Sequence, residues 1–266
     1  MIYYEKQGRG PAVVLLHGLP CNHTIWNNLV AELSGSYTFI LPDFPGAGES
    51  PERPEGFLLK DIAVELNEIL DKENIVEAII AGHSMGGYTA MAFARLFPEK
   101  TKAVSLIHSS AAADSEEKKQ VRRKSIAMIQ KGDAEKQAFA KALVRQLFAK
   151  SFIQEKPAVV EEAVRMGNRP SAQSLVNYYQ ALMAREDNVP VLFSASFPFQ
   201  WILGAEDSAT ILEDTLPLTT QAAINDICVY PGCGHMGMLE TPEQLKADLN
   251  RFWQYVYRRE PSLDLA

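Results

Sequence analysis

The strongest chemical signal in the chain is Gly82-His83-Ser84-Met85-Gly86, a serine with a glycine two residues away on either side. It follows the wholly apolar run Ala78-Ile79-Ile80-Ala81 and precedes a helical pattern from Tyr88 to Leu96. A serine on so sharp a strand-to-helix turn takes backbone angles that ordinary residues avoid and presents its hydroxyl as a nucleophile. Side chains at Gly82 or Gly86 would collide where the strand and helix pack. The helix N-terminus adds partial positive charge beneath the hydroxyl. It also leaves the Met85 N–H unpaired and able to stabilise an oxyanion.

A serine hydroxyl needs a base to take its proton. Five histidines are available: His17, His23, His83, His108 and His235. His235 lies in Pro231-Gly232-Cys233-Gly234-His235-Met236-Gly237, a glycine-rich loop after the last strand-like run. That is the edge of an α/β sheet where ligands bind. His83 is adjacent to the serine, but neighbours on a tight turn point apart, so packing or a backbone hydrogen bond is expected of it. His17 and His108 end strands and are expected to support loops. His23 has no distinguishing context.

The base in turn needs a carboxylate on its other ring nitrogen. Asp207, in Gly204-Ala205-Glu206-Asp207, fits best by position after a strand and by the chain order Ser, Asp, His. Glu206 and Asp114 are the competitors. Asp43, in Asp43-Phe44-Pro45-Gly46-Ala47-Gly48-Glu49-Ser50, reads as a turn-stabilising carboxylate. A second oxyanion donor is expected from a loop after an early strand. In Leu15-Leu16-His17-Gly18-Leu19-Pro20 the Leu19 N–H is the candidate, with Gly18 permitting the turn.

The elements that must position these residues alternate. Short strand-like runs at Ile2–Tyr4, Ala12–Leu16, Tyr37–Leu41, Ala78–Ala81 and Ala103–Ile107 are interleaved with helical patterns at Trp26–Leu33, Leu58–Leu70 and Tyr88–Leu96. Such alternation predicts an α/β chain with a mostly parallel, doubly covered sheet. From about Ser115 to Arg185 the periodicity is helical throughout, with room for roughly four short helices by the usual spacing. Strand-like runs resume at Gln200–Leu203 and Ile227–Tyr230. Val191–Phe199 competes with the first of these. A closing helix is expected over Thr241–Tyr257, with Thr241 as N-cap and Pro242 in the first turn. The expected division is a core of residues 1–110 and 195–266 interrupted by a helical insertion over 111–194.

Composition narrows the class. Of 266 residues, 47% are hydrophobic and 22% charged, and the formal net charge of −7 argues against nucleic-acid binding. The basic run Lys118-Lys119 with Arg122-Arg123-Lys124 follows Glu116-Glu117 directly and reads as a solvated, mixed-charge helix face. Cys21, Cys228 and Cys233 form no CxxC pair and suggest reduced thiols in the cytoplasm. No leader or membrane span is read, and a small-molecule substrate is expected for a monomer or homodimer. No cofactor is implied. No metal is implied either, because no ligand cluster of recognisable spacing remains once the serine, histidine and aspartate have roles.

Taken together, the His17-Gly18 loop, the Asp43-to-Ser50 turn, the Gly82–Gly86 elbow, the Gly204-x-x-Asp207 loop and the Gly234-His235 pair resemble the α/β-hydrolase superfamily. The resemblance covers residues 1–108 and about 195–260. It implies Ser84, His235 and Asp207 as a catalytic triad, with the helical insertion as a cap. Ala47 stands where the family turn often has an aromatic residue or histidine. The short amino terminus implies about seven strands where many members have eight. The superfamily includes esterases, lactonases, thioesterases, C–C bond hydrolases and aminohydrolases. An esterase- or lactonase-like serine hydrolase acting on a small, mainly apolar substrate is the expectation. The alternatives are an acyltransferase, a non-catalytic ligand receptor, or a C–C hydrolase marked by an acid-binding arginine such as Arg165, Arg169 or Arg185.

Overall fold

A computed structural model describes residues 1–258; the expected frayed tail at Ser262–Ala266 lies outside the described residues. Seven strands form one sheet. In chain order they are β1 (Tyr4–Gly8), β2 (Ala12–Leu16), β3 (Thr38–Pro42), β4 (Ala78–His83), β5 (Thr101–Ile107), β6 (Phe199–Gly204) and β7 (Asn225–Tyr230). Their spatial order is β1-β3-β2-β4-β5-β6-β7. Only β1 runs antiparallel, pairing Tyr4 with Pro42 through Gly8 with Thr38. The edge strand therefore begins where Ile2–Tyr4 was expected to end. It continues through the polar residues Glu5-Lys6-Gln7, which suit a sheet edge better than a core.

β2 is apolar at every position, and β4, β5 and β6 are mostly so, because both faces of the sheet are covered. Val14, Leu16, Ile80, Val104, Leu106 and Trp201 point to one face, against α2 (Leu59–Lys72) and α3 (Met85–Leu96). Val13, Leu15, Ile79, Ala81, Ile107 and Ile202 point to the other, against α1 (Asn27–Leu33) and the closing helix Pro242–Arg258. The alternation within β2 shows the two-residue pleat directly. α3 starts three residues earlier than its apolar spacing suggested, because Gly86 and Gly87 carry no side chain to signal a helix.

Between β5 and β6 lie six helices: α4 (Glu116–Ile129), α5 (Asp133–Gln146), α6 (Lys150–Glu155), α7 (Pro157–Gly167), α8 (Ala172–Ala184) and α9 (Val189–Ser194). Five of them, α4 to α8, fall within Ser115–Arg185, where the sequence suggests roughly four. Pro157 opens α7 and so divides one long pattern into two. Val189–Ser194 is helical, which makes Phe199–Gly204 the sheet strand before Asp207. Two further short helices, α10 (Leu212–Thr215) and α11 (Gly237–Glu240), lead to the closing helix, α12 (Pro242–Arg258).

The helical block is tied to loops at the carboxyl ends of the strands. The His235 N–H donates to Leu147 O at 2.6 Å, the Ala149 N–H to Glu240 Oε2 at 2.9 Å, and Asn177 Nδ2 to Arg53 O at 2.6 Å. Among the described residues no helix is long and apolar enough to cross a membrane.

Candidate active site

Ser84 sits between β4 and α3 with φ 50° and ψ −115°, a conformation costly for a residue with a Cβ. The surroundings hold it there. Its N–H donates to Ile107 O at 3.0 Å, and its carbonyl accepts from the Gly87 N–H at 2.9 Å and from Ser109 Oγ at 2.8 Å. The flanking glycines have the steric origin the sequence suggested. A Cβ on Gly82 would stand 2.3 Å from Gly86 C, and one on Gly86 would stand 2.3 Å from Leu16 O. Contacts that close are impossible, so strand and helix approach only because both side chains are absent.

The Gly18-Leu19 loop lies beside the serine. A Cβ on Gly18 would come within 3.0 Å of Ser84 Cβ. Leu19 and Ser84 face one cavity of about 440 Å³. Met85 is the first residue of α3, so its N–H has no carbonyl one turn earlier within the helix.

His235 opens onto the same cavity. Its Nδ1 is 2.7 Å from Asp207 Oδ2. Among the described residues Nε2 has no hydrogen-bond partner, and it is not one of the sealed, unpartnered atoms. It is therefore accessible from the cavity side. No hydrogen bond joins Ser84 Oγ to the imidazole among the described residues; the hydroxyl and the ring share a cavity wall.

Asp207 is buried and accepts four hydrogen bonds. Two come from the His235 and His108 rings, the latter at 3.2 Å from Nδ1, and two from the Ala209 and Thr210 N–H groups, each at 2.8 Å. Burial alone would raise its pKa. The charge interaction with His235 and the imidazole hydrogen bonds outweigh that and hold the carboxyl well below its usual range.

The other candidates have different surroundings. Glu206 is exposed. Asp114 is buried but pairs with Arg122 and Arg185, away from any histidine. Asp43 does stabilise its turn, accepting from the His23 N–H, His23 Nδ1 and the Glu49 N–H. His17 accepts from the Phe44 N–H at Nε2 and meets Gly18 O at Nδ1, a loop-supporting role. His83 makes the expected backbone bond, Nε2 to His235 O at 2.9 Å. Burial, followed by the charges of His235 and His108, pushes its pKa well down, so it is neutral.

His108 departs from expectation. Instead of merely holding a loop, it places Nδ1 on the oxygen of Asp207 that His235 uses. It is fully buried, has φ 47°, and leaves Nε2 without a partner. Its position at the end of β5, beside the strand that carries Asp207, explains the contact. That adjacency was hidden because the six helices separate β5 from β6 in the chain.

His108, Asp207 and His235 also form the only set of three potential metal ligands found together among the described residues, with donor atoms within 4.8 Å. The sequence spacing gave no sign of it. A cation there would have to displace both imidazole–carboxylate hydrogen bonds.

One other sequence reading needs correction. The basic run is not uniformly solvated, because Arg122 is half-buried at the cavity wall; Lys118 borders the cavity but stays exposed. Of the cap aromatics and leucines, Phe139, Leu143 and Tyr179 also face it, whereas Tyr178 packs on Phe57 at a ring separation of 5.9 Å. Arg165 is exposed beside Glu162, and Arg169 is exposed; neither borders the cavity.

Comparison with known proteins agrees with this architecture. Residues 11–242 match the family described as the alpha/beta hydrolase fold, and the chain belongs to that family. A Mycobacterium tuberculosis protein is 36% identical over 104 residues, 39% of this chain but only 30% of the relative, so the match spans less than a third of that protein. The 3-oxoadipate enol-lactonase 2 of Acinetobacter baylyi is 26% identical over 208 residues, 78% of this chain and 76% of the relative. A thermophilic esterase from Thermogutta terrifontis has a TM-score of 0.89 at 25% identity, over 96% of this chain and 93% of that one.

Proposed function

We propose that the chain is a serine hydrolase that cleaves a carboxylic ester, lactone or thioester of a small substrate through an acyl-enzyme. The observation that carries this reading is one cavity bordered by both the strained Ser84 and the open side of an imidazole whose other nitrogen is held by Asp207.

This reading requires Ser84 Oγ to reach His235 across the cavity wall they share, by rotation about the Cα–Cβ bond. His235 Nε2 takes the hydroxyl proton as Oγ attacks the carbonyl carbon. Asp207 keeps the other ring nitrogen protonated and stabilises the imidazolium. The Leu19 and Met85 N–H groups receive the oxyanion. Collapse of the intermediate expels the alcohol or thiol, which takes the proton from His235. Water, deprotonated by the same nitrogen, then attacks the acyl carbon and frees Ser84. We assign residues 111–194 to a lid that screens these steps from bulk water. The enol-lactonase and esterase among the compared proteins support the bond type. Three free cysteines suit a reducing, cytoplasmic setting.

The test is labelling with a fluorophosphonate, followed by peptide mapping and a screen of short p-nitrophenyl esters. Label on Ser84 with repeated turnover is the expected result. Turnover that persists in Ser84→Ala would rule the mechanism out.

A further inference from the structure

We propose that the cavity takes a substrate bearing a carboxylate remote from the bond that is cleaved, and that Arg122 on α4 binds that carboxylate. The bond cleaved rests on the Ser84 reading above, but recognition of the acid does not.

Charge counting at and behind the cavity wall carries the inference: Arg122 lines the cavity, and Asp114 and Arg185 stand behind it. Asp114, whose side chain is fully buried, is shared by two guanidinium groups. Arg122 donates to it from Nε, and from Nη2 at 3.1 Å. Arg185 Nη1 is 2.8 Å from Oδ1, the oxygen that Arg122 Nη2 also uses. Burial would raise the Asp114 carboxyl, but the Arg122 hydrogen bond and the two positive charges hold it below its usual value, so it is ionised. Two cations thus share one anion, leaving one positive charge in excess in a protein whose formal net charge is −7.

The two arginines differ in what they have left to offer. Arg185 has a side chain only 6% exposed. It also donates to Ala112 O and Leu182 O and stacks over the Tyr88 ring at 3.9 Å. It reads as the structural partner of Asp114. Arg122 borders the cavity, and its Nη1 has no hydrogen-bond partner among the described residues, yet is not a sealed atom. A guanidinium with one edge tied to Asp114 and the other open is ready for a second carboxylate. The Tyr179 ring, 5.8 Å from the guanidinium carbon, limits the water that could solvate it. Lys118 and Glu117 also border the cavity, but both are exposed and opposite in sign, so solvent and each other screen them.

Calorimetry on the Ser84→Ala variant separates binding from chemistry. The probes are the monomethyl esters of succinate, glutarate and adipate, which are monoanions, and the corresponding neutral dimethyl esters. At least one monoanion should bind roughly tenfold or more tightly than its neutral partner. Raising NaCl to about 0.5 M should narrow that gap. In the same background Arg122→Gln should abolish the preference, and Arg122→Lys, which keeps the charge and guards against a folding defect, should restore part of it. Equal binding of anion and diester, no binding of either, or a preference untouched by Arg122→Gln would each overturn the inference. Absence of Ser84 labelling alongside an Arg122-dependent preference would sink the acyl-enzyme and leave the acid site standing.

Discussion

Two regions of this molecule carry almost the same set of groups. In each, a buried aspartate meets two histidines: Asp207 with His235 and His108, and Asp43 with His23 and His17. Each lies in a loop at the carboxyl end of a parallel strand. The difference is in the far nitrogens. His23 is held at both ends, by Asp43 at 2.8 Å and Glu5 at 3.2 Å, and His17 is used at both ends by backbone. Only His235 has one nitrogen committed to a carboxylate and the other open to a cavity. A general base needs that asymmetry, because a nitrogen already engaged cannot accept a substrate-side proton. In this molecule a buried Asp–His pair thus serves structure at Asp43, and the open nitrogen is what sets the Asp207 pair apart as the candidate for chemistry.

The sharpest way to break the comparison is to remove the carboxylate from each region. Asp207→Asn should lower kcat on the best ester by roughly 10⁴-fold, because the amide favours the wrong tautomer of His235. Asp43→Asn should leave the specific activity of the folded protein within about threefold, while costing stability of about 3 kcal/mol through unpaired buried donors. Stopped assays corrected for active-site titre, paired with urea unfolding, distinguish the two. If Asp43→Asn were the catalytically dead variant and Asp207→Asn merely unstable, the assignment of roles would be inverted.

His108 sharpens the comparison within the Asp207 region. Replacing it by Gln removes one of two imidazole donors to Oδ2 while leaving His235 its partner. As a positioning residue it should affect kcat by roughly tenfold and KM little, the split expected when only the transition state feels the loss. A fall in stability with unchanged kcat would reduce His108 to packing.

Much of the site was legible because its parts are local. The strand, turn and helix around Ser84 are contiguous, and the sterics that require Gly82 and Gly86 act over a few residues. Asp207, the carboxylate that meets His235, was separable from Glu206 and Asp114 by loop position, and those two prove to be exposed or paired with arginine. What could not be read depends on contacts between distant segments. His108 meets Asp207 across the β5–β6 boundary, after 90 and more intervening residues have made the helical block. Arg122 looked like one cation on a mixed face, since nothing in its own helix reveals that Asp114 and Tyr179 enclose it. The extra helices α6 and α9 were missed because each is only six residues long, too short for periodicity to show.

The smallest effect expected is a pH dependence confined to the Asp43 region. The Asp43 hydrogen bond raises the pKa of His23 above its ordinary 6.5; burial opposes the shift, and the charges of Asp43 and Glu5 reinforce it, with His17 the nearby neutral ring. A histidine with a raised folded pKa binds its proton more tightly when folded. Its stabilisation is therefore complete below about pH 6.5 and fades as pH rises through the folded value. Burial has the reverse effect on His17, pushing it down to about 4, so between 6.5 and 4 the unfolded chain takes up the proton first and acid destabilises the fold. Wild-type melting should thus fall as pH drops through that window. The gap in Tm between wild type and His23→Gln should be wider at about pH 6 than at about pH 9, by a few degrees at most for a chain of this size. A gap that stays constant, or widens toward alkaline pH, would mean that His23 is held neutral. The contrast between a doubly bonded imidazolium at Asp43 and a half-open imidazole at Asp207 would then lose its electrostatic basis.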